Sequence, residues 1–284
     1  MHIQWFPGHM AKTRRLILEH VKLVDLVVEL VDARLPQSSR NPEIDQLIKD
    51  KPRLLVLNKA DIADRAVTDA WIAHLKAAGI PAIAVSSTSG KPLAPVLDMC
   101  KAILAPQISA WQEKGMVGKP IKLMVVGVPN VGKSSFINKL TGKKSAITGD
   151  RPGVTRGKQW IRLANGFELL DTPGILWPKF EDEQIGLKLA FTGAVKDDIL
   201  DVELLACKLL EFLRDTYPEA LAARYHMEVQ PEMEGYQLLE QLGKKRGFVI
   251  SGGEIDSLRA ANILLDEFRA AKLGFISLES PKNV

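Results

Sequence analysis

Strand-like and helix-like segments alternate over roughly the first 178 residues and predict an α/β domain with a mostly parallel sheet; only helical patterns follow, predicting a small all-α domain. Apolar runs at residues 26–31, 54–57, 82–85, 121–126 and 167–170 have the length and content of buried strands. Gly127-Val128-Pro129-Asn130-Val131-Gly132-Lys133-Ser134 lies between such a strand and a helical pattern, as a strand–loop–helix unit requires. From about Phe180 strand signals are absent.

In chain order, a helix is expected over 11–21, and the strand at 26–31 ends in Asp32-Ala33-Arg34-Leu35-Pro36. A short helix at 44–48 precedes the strand at 54–57, which runs directly into Asn58-Lys59-Ala60-Asp61. The helix at 69–78 stops at Gly79 with Pro81 beyond it, a usual C-terminal signal. Strand 82–85 leads into Ser86-Ser87-Thr88, and a helix covers 93–104. Residues 106–120, with two prolines, Gly115 and Gly118, read as an irregular join. Strand 121–126 opens onto the glycine-rich loop, a helix covers 134–140, and strand 167–170 ends at Asp171-Thr172-Pro173-Gly174. In a parallel sheet ligand loops gather at the strand C-terminal ends, where these motifs stand. In the all-α part, Leu200, Leu204, Leu205, Leu209, Phe212 and Leu213 form one helical stripe. Leu258, Ala261, Leu265 and Phe268 form another. The domains are therefore drawn at 1–178 and 179–284.

A chain of 284 residues, 46% hydrophobic, has enough material for one or two domains with a core. No apolar run reaches the roughly 18 residues of a membrane span. The first residues lack a basic-then-apolar signal layout. Cys100 and Cys207 sit in amphipathic helical patterns and read as reduced core thiols, which points to the cytoplasm. Residues 1–177 hold 25 Lys and Arg against 15 Asp and Glu, whereas 178–284 hold 13 against 19. Attraction to nucleic acid is thus expected mainly from the first part, through Lys12, Arg14, Arg15, Lys143, Lys144, Arg151, Arg156, Lys158 and Arg162. In the second part Lys244, Lys245, Arg246, Arg259, Arg269 and Lys272 are candidates for a local basic face, and solvated charges on a helical bundle are the alternative.

The glycine-rich loop fits the phosphate-loop pattern with both glycines, the lysine and the serine. Backbone N–H groups of Asn130, Val131, Gly132, Lys133, Ser134 and Ser135 would surround phosphate oxygens at a helix N-terminus. Lys133 would reach the β- and γ-phosphates and the Ser134 hydroxyl would ligate Mg²⁺.

The order of the motifs is distinctive: Asn58-Lys59-Ala60-Asp61, then Ser86-Ser87-Thr88, then Gly127 to Ser134, then Asp171-Thr172-Pro173-Gly174. In a Ras-like chain the phosphate loop comes first. The pattern resembles the circularly permuted GTPases and, within them, the ribosome biogenesis GTPase A family. That resemblance implies a permuted Ras-like P-loop GTPase domain followed by an all-α domain that contacts ribosomal RNA. It implies that a buried Asp61 accepts from the guanine N1–H and 2-amino group, that Asn58 fixes the loop and the base edge, and that the Lys59 stem lies over the ring. A backbone N–H of Ser86-Ser87-Thr88 would read the guanine O6. Asp171 would hold Mg²⁺ through a water, and the Gly174 N–H would meet the γ-phosphate. Thr155 is the expected Mg²⁺ and γ-phosphate sensor, with a β-strand threonine as the plain alternative and Thr148 a second candidate.

Ras-like proteins carry Gln after this last glycine to orient the attacking water, and here Ile175 stands in its place. The water-orienting group is then expected from elsewhere: His9, a bound ion or the ribosome. His9, in Trp5-Phe6-Pro7-Gly8-His9-Met10, is the candidate that the resemblance implies, with an ordinary surface histidine as the plain alternative, and Gly8 would allow an unusual backbone path. Asn130 resembles a K⁺ ligand. The expected partners are the large ribosomal subunit and its rRNA, with no membrane and no DNA, for a monomer. The leading expectation is a slow GTPase that times a late maturation step and its own release. A nucleotide-gated RNA- or protein-binding module with negligible hydrolysis is the competing class, supported by Ile175.

Overall fold

The computed structural model describes residues 7–48, 51–90, 92–142, 160–163, 166–170 and 182–282. Two compact units are present: one holds the described residues between 4 and 181 together with the segment from Ser277, and the other spans Asp182–Ile276.

The first unit is built on a six-stranded sheet of β1 (Leu26–Asp32), β2 (Arg53–Asn58), β3 (Ala82–Ala84), β4 (Ile121–Gly127), β5 (Trp160–Arg162) and β6 (Phe167–Leu170). The order is β3-β2-β1-β4-β6-β5, with all pairs parallel except β5 against β6. Every residue of β1 is buried, as in a central strand covered on both faces. The order reverses between β1 and β4, so the loops after these two strands flank the switch point where such sheets bind ligands.

Helices α1 (Pro7–Val21), α2 (Pro42–Ile48), α3 (Arg65–Ala77), α4 (Ala94–Ile103), α5 (Ala105–Glu113) and α6 (Lys133–Thr141) complete the unit. Ile17, Val21, Ile44 and Leu47 of α1 and α2 pack with Val27, Met124 and Val126 of β1 and β4. Trp71 and Leu75 of α3 pack with Leu55 and Leu57 of β2.

Three local expectations are corrected. Helix α1 begins at Pro7, so Gly8 lies in a regular helix; proline leads the first turn, where its missing N–H costs no bond. Helix α3 begins at Arg65 because Asp64 caps it, accepting from the Val67 N–H at 3.0 Å. The join expected to be irregular contains α5: Pro106 is tolerated in the first turn, and Trp111 is buried. Strand β5 carries no sequence signal of its own length and is formed by antiparallel pairing with β6.

The last residues belong to the sheet unit, contrary to the division at 178/179. The Leu278 N–H donates to Arg34 O at 2.6 Å, and the Trp71 indole N–H donates to Glu279 O at 3.2 Å. Local sequence patterns do not encode such distant pairings.

The second unit consists of α7 (Glu183–Phe191), α8 (Val202–Thr216), α9 (Pro218–Tyr225), α10 (Gly235–Arg246) and α11 (Ser257–Arg269). Leu205, Leu209 and Leu213 of α8 and Ala261, Leu265 and Phe268 of α11 are buried as the stripes predict. Leu204 and Leu258 are exposed, since each lies in the first turn of its helix on the outward side of the stripe. Gly235 lets α10 approach α8 closely: a Cβ there would lie 2.5 Å from Cys207 O. Cys207 is half-buried rather than core, whereas Cys100 is fully buried and its thiol pKa is pushed up to about 12 by burial.

The six basic candidates of this unit do not form one uncompensated face. Arg246 and Arg224 turn to the buried Glu267, whose carboxylate also accepts from the Tyr225 hydroxyl at 2.9 Å. Arg269 pairs with Asp197 at 2.6 Å, and Lys244 with Glu240 at 2.5 Å. In the sheet unit, Arg162 is exposed and lies 3.6 Å from Glu168. Lys143, Lys144, Arg151, Arg156 and Lys158 lie outside the described residues.

Candidate nucleotide site

The phosphate-loop segment leaves β4 at Gly127, where a Cβ would stand 2.5 Å from Leu30 O. Only glycine lets the loop turn off the sheet so close to the β1 backbone. Asn130 and Gly132 both adopt left-handed backbone, at φ 55° and 96°, and curl the loop around its own N–H groups. Val131 is buried and anchors the curl. Helix α6 then starts at Lys133 with Gly132 as its N-cap and no side-chain cap, so Ser134 and Ser135 present first-turn N–H groups that favour an anion. The Lys133 ammonium arches back over the loop, donating to Gly127 O at 3.0 Å and Val128 O at 2.8 Å.

Asn58, at the end of β2, is almost fully buried and joins three loops. Its Nδ2 donates to Val131 O at 2.8 Å. Its Oδ1 accepts from the Ser87 N–H at 3.1 Å and the Ser87 hydroxyl at 2.8 Å. The Ser87 N–H is therefore turned to Asn58. The Ala60 N–H donates to Val85 O at 3.0 Å, tying the Asn58–Asp61 loop to the segment that follows β3.

Lys59 takes a left-handed backbone at φ 62° and places its ammonium 3.0 Å from Asp32 Oδ2. Asp32 is buried at the end of β1 and accepts from Arg34 Nε at 2.9 Å and Nη2 at 2.8 Å. Burial opposes ionisation of Asp32, but the Arg34 guanidinium and the Lys59 ammonium outweigh it and hold the carboxyl well below the usual carboxylate range. Asp61, expected to be buried, is exposed and accepts from the Thr88 hydroxyl at 3.1 Å.

Two further contributors have no role in the motif pattern. Lys139 of α6 donates to Ser86 O at 2.9 Å and also to Ser89 O, binding the Ser86–Ser89 turn to the phosphate-loop helix. No motif marks it; its place on α6, turned toward a loop distant in sequence, is a tertiary fact. The Asp32–Arg34 pair had a signal in the Asp-x-Arg at a strand end, without a role attached to it. Thr148, Thr155, Asp171, Gly174 and Ile175 lie outside the described residues, as does the side chain of His9, whose backbone is in the first turn of α1.

A parallel sheet with a phosphate-type loop at its switch point, and an Asn-Lys-x-Asp loop placed earlier in the chain, define a circularly permuted Ras-like GTPase. The family model described as 50S ribosome-binding GTPase matches residues 122–237, beginning at β4 and leaving the preceding base-loop half outside, as the permutation requires. Over their whole lengths, this chain and the ribosome biogenesis GTPase A of Bacillus licheniformis are 49% identical. The protein of that name from Thermotoga maritima is 30% identical, over 99% of this chain and 96% of that one. Among solved structures, GDP-bound YlqF superposes with a TM-score of 0.68 at 29% identity, covering 94% of this chain and all of that one. GNP-bound YlqF from T. maritima gives 0.67 at 28% identity over 96% of this chain and all of that one. The chain belongs to the ribosome biogenesis GTPase A family, and it is a GTPase.

Proposed function

We propose that this GTPase binds the assembling large ribosomal subunit and uses GTP binding and hydrolysis to time a late maturation step and its own release. The observation that carries the nucleotide half of this reading is Asn58, which holds the loop bearing Asp61 against the loop bearing Lys133 through Val131 O. In this reading the base loop and the phosphate loop are tied directly to each other. The ribosomal half rests on the name of relatives that match the full chain at 49% identity, and on the basic excess of residues 1–177.

In this reading the Asp61 carboxylate accepts from the guanine N1–H and 2-amino group, and the Lys59 stem lies over the ring while its ammonium stays on Asp32. Adenine offers neither donor, which is a strong basis for rejection. The O6 donor comes from a backbone N–H of the Ser86–Thr88 turn; were it that of Ser87, it would have to share or exchange its bond to Asn58. The N–H groups from Asn130 to Ser135 receive phosphate oxygens, and Lys133 exchanges Gly127 O and Val128 O for the β- and γ-phosphates.

This reading calls for two cations. The Ser134 hydroxyl, in the first turn of α6, with Thr155 and Asp171, would hold Mg²⁺; Asn130, on the left-handed curl, would hold K⁺. When bound, such cations neutralise charge that develops on the phosphates. Gly174 would sense the γ-phosphate, and His9 would orient the attacking water that Ile175 cannot. No helix among the described residues is long and apolar enough to cross a membrane.

Co-sedimentation with purified large and small subunits, in GDP and in a non-hydrolysable GTP analogue, tests the proposal. Pelleting with large subunits in the analogue and release in GDP is the expected result. Equal behaviour in both nucleotides, or no preference between subunits, overturns it. Stable nucleotide-gated pelleting without any turnover would instead favour the binding-module reading that Ile175 supports.

A further inference from the structure

The segment Ser277–Glu279 returns from the helical unit and grips the base-loop region of the sheet unit from two sides. On one side, the Ser277 hydroxyl accepts from the Asp64 N–H at 3.1 Å. Asp64 lies three residues beyond Asp61 and caps α3, so this bond pins the far end of the loop that carries Asp61. On the other side, Glu279 is buried and its carboxylate accepts from the Gln37 N–H at 2.9 Å, the Ser38 N–H at 3.1 Å and the Ser38 hydroxyl. The Leu278 N–H donates to Arg34 O. These bonds fix the turn from Arg34 to Ser39, and that turn builds the Asp32 site. The Ser39 hydroxyl accepts from the Asp32 N–H at 2.9 Å, and Arg34 forks onto the Asp32 carboxylate, which holds Lys59. A buried carboxylate with three donors from one turn is costly to disturb, so it locks that turn into a single arrangement.

We infer that Ser277–Glu279 is a positioning strap for guanine recognition, with Glu279 acting through the Arg34–Asp32–Lys59 chain and Ser277 through Asp64. The inference rests on the reading of Asp61 as the guanine acceptor. The strap touches no nucleotide. It sets the place of the Lys59 stem and the Asp61 carboxylate, and so the precision with which the guanine 2-amino group is read.

The test compares GTP with ITP, which lacks only that 2-amino group, by equilibrium titration of full-length protein. Wild type is expected to prefer GTP. In Glu279→Ala and Ser277→Ala the ITP-to-GTP ratio of Kd values is expected to shrink by about two- to tenfold, the coupling usual within one hydrogen-bond network. Glu279→Gln, which keeps one acceptor oxygen, should fall between. A merely structural strap would lower Tm and leave this ratio unmoved in protein still folded at the titration temperature. That outcome in all three variants overturns the inference while leaving the Asp61 reading intact. Wild type with no preference for GTP over ITP overturns the Asp61 reading and the inference together. Should Glu279→Ala fail to fold, Ser277→Ala, which removes one hydroxyl, decides alone.

Discussion

Asn58 Nδ2 occupies the space a side chain on Gly132 would need: a Cβ built on Gly132 would lie 2.5 Å from it. The same amide donates to Val131 O, 73 residues away in the chain. The second glycine of the phosphate loop is therefore required twice, by its left-handed φ of 96° and by the asparagine packed on it. Gly132→Ala should lower stability by about 2–3 kcal/mol through strain and overpacking. In an Asn58→Ala background the same change should cost less, because part of the clash is gone. Chemical denaturation of the four proteins of this cycle measures it, and strict additivity would contradict the packing account.

Asp61→Asn replaces an acceptor by an amide that opposes the guanine N1–H. Asp61 is exposed here, so its penalty arises only when a base covers it. GTP affinity should weaken by about 3 kcal/mol, the usual size for truncating a covered charged hydrogen bond. Preference should shift toward xanthine nucleotides. Titration with both nucleotides checks it; unchanged GTP affinity would remove Asp61 from the site.

Turnover should depend on K⁺ if Asn130 holds that ion. With large subunits present, replacing K⁺ by Na⁺ is expected to slow hydrolysis on the order of 10²-fold, a typical single electrostatic contribution to a transition state. Equal rates in the two salts would exclude the ion.

His9→Ala should separate binding from chemistry. Nucleotide affinity should stay near wild type while subunit-stimulated turnover falls by about 10²–10⁴-fold, as for loss of a proton-transfer or water-orienting group. Lost subunit binding with intrinsic turnover intact would make the segment a docking element instead.

Glu267 anchors the helical unit and gives it an acid limit. The side-chain hydrogen bond from Arg224 leads the causes that lower its pKa to about 2, from an ordinary 4.5. A depressed folded-state pKa means stability that is fully present above about 4.5 and is lost as pH falls toward 2. Glu267→Gln should cost about 2 kcal/mol at neutral pH, as a charge-assisted network is lost. It should also flatten the acid limb of a denaturation series between those two pKa values. An unchanged pH profile would show that another carboxylate sets the limit.

Much of the core was legible because period and length report burial directly. The strands at 26–31, 54–57 and 121–126 stand within one residue of their expected ends, since a fully buried parallel strand is a continuous apolar run. Helix starts were less legible: α3 depends on the Asp64 cap and α1 on Pro7, both of which lie outside the apolar stripe that marks a helix. Strand β5 and helix α5 depend on partners and on tolerated proline positions more than on their own composition.

At the site, the sequence alone determined the types and order of the motifs, because the left-handed φ of Gly132 and the lysine–serine at a helix start are local demands on local residues. Tertiary structure decided what those motifs touch. It exposed Asp61, turned the Ser87 N–H onto Asn58, and placed Lys59 on Asp32 and Lys139 on the Ser86–Ser89 turn. It also returned Glu279 to Ser38 across 241 residues. A hydrogen bond is specified by position in space, and no periodicity of the chain encodes which distant donor will face a given acceptor once the sheet has formed.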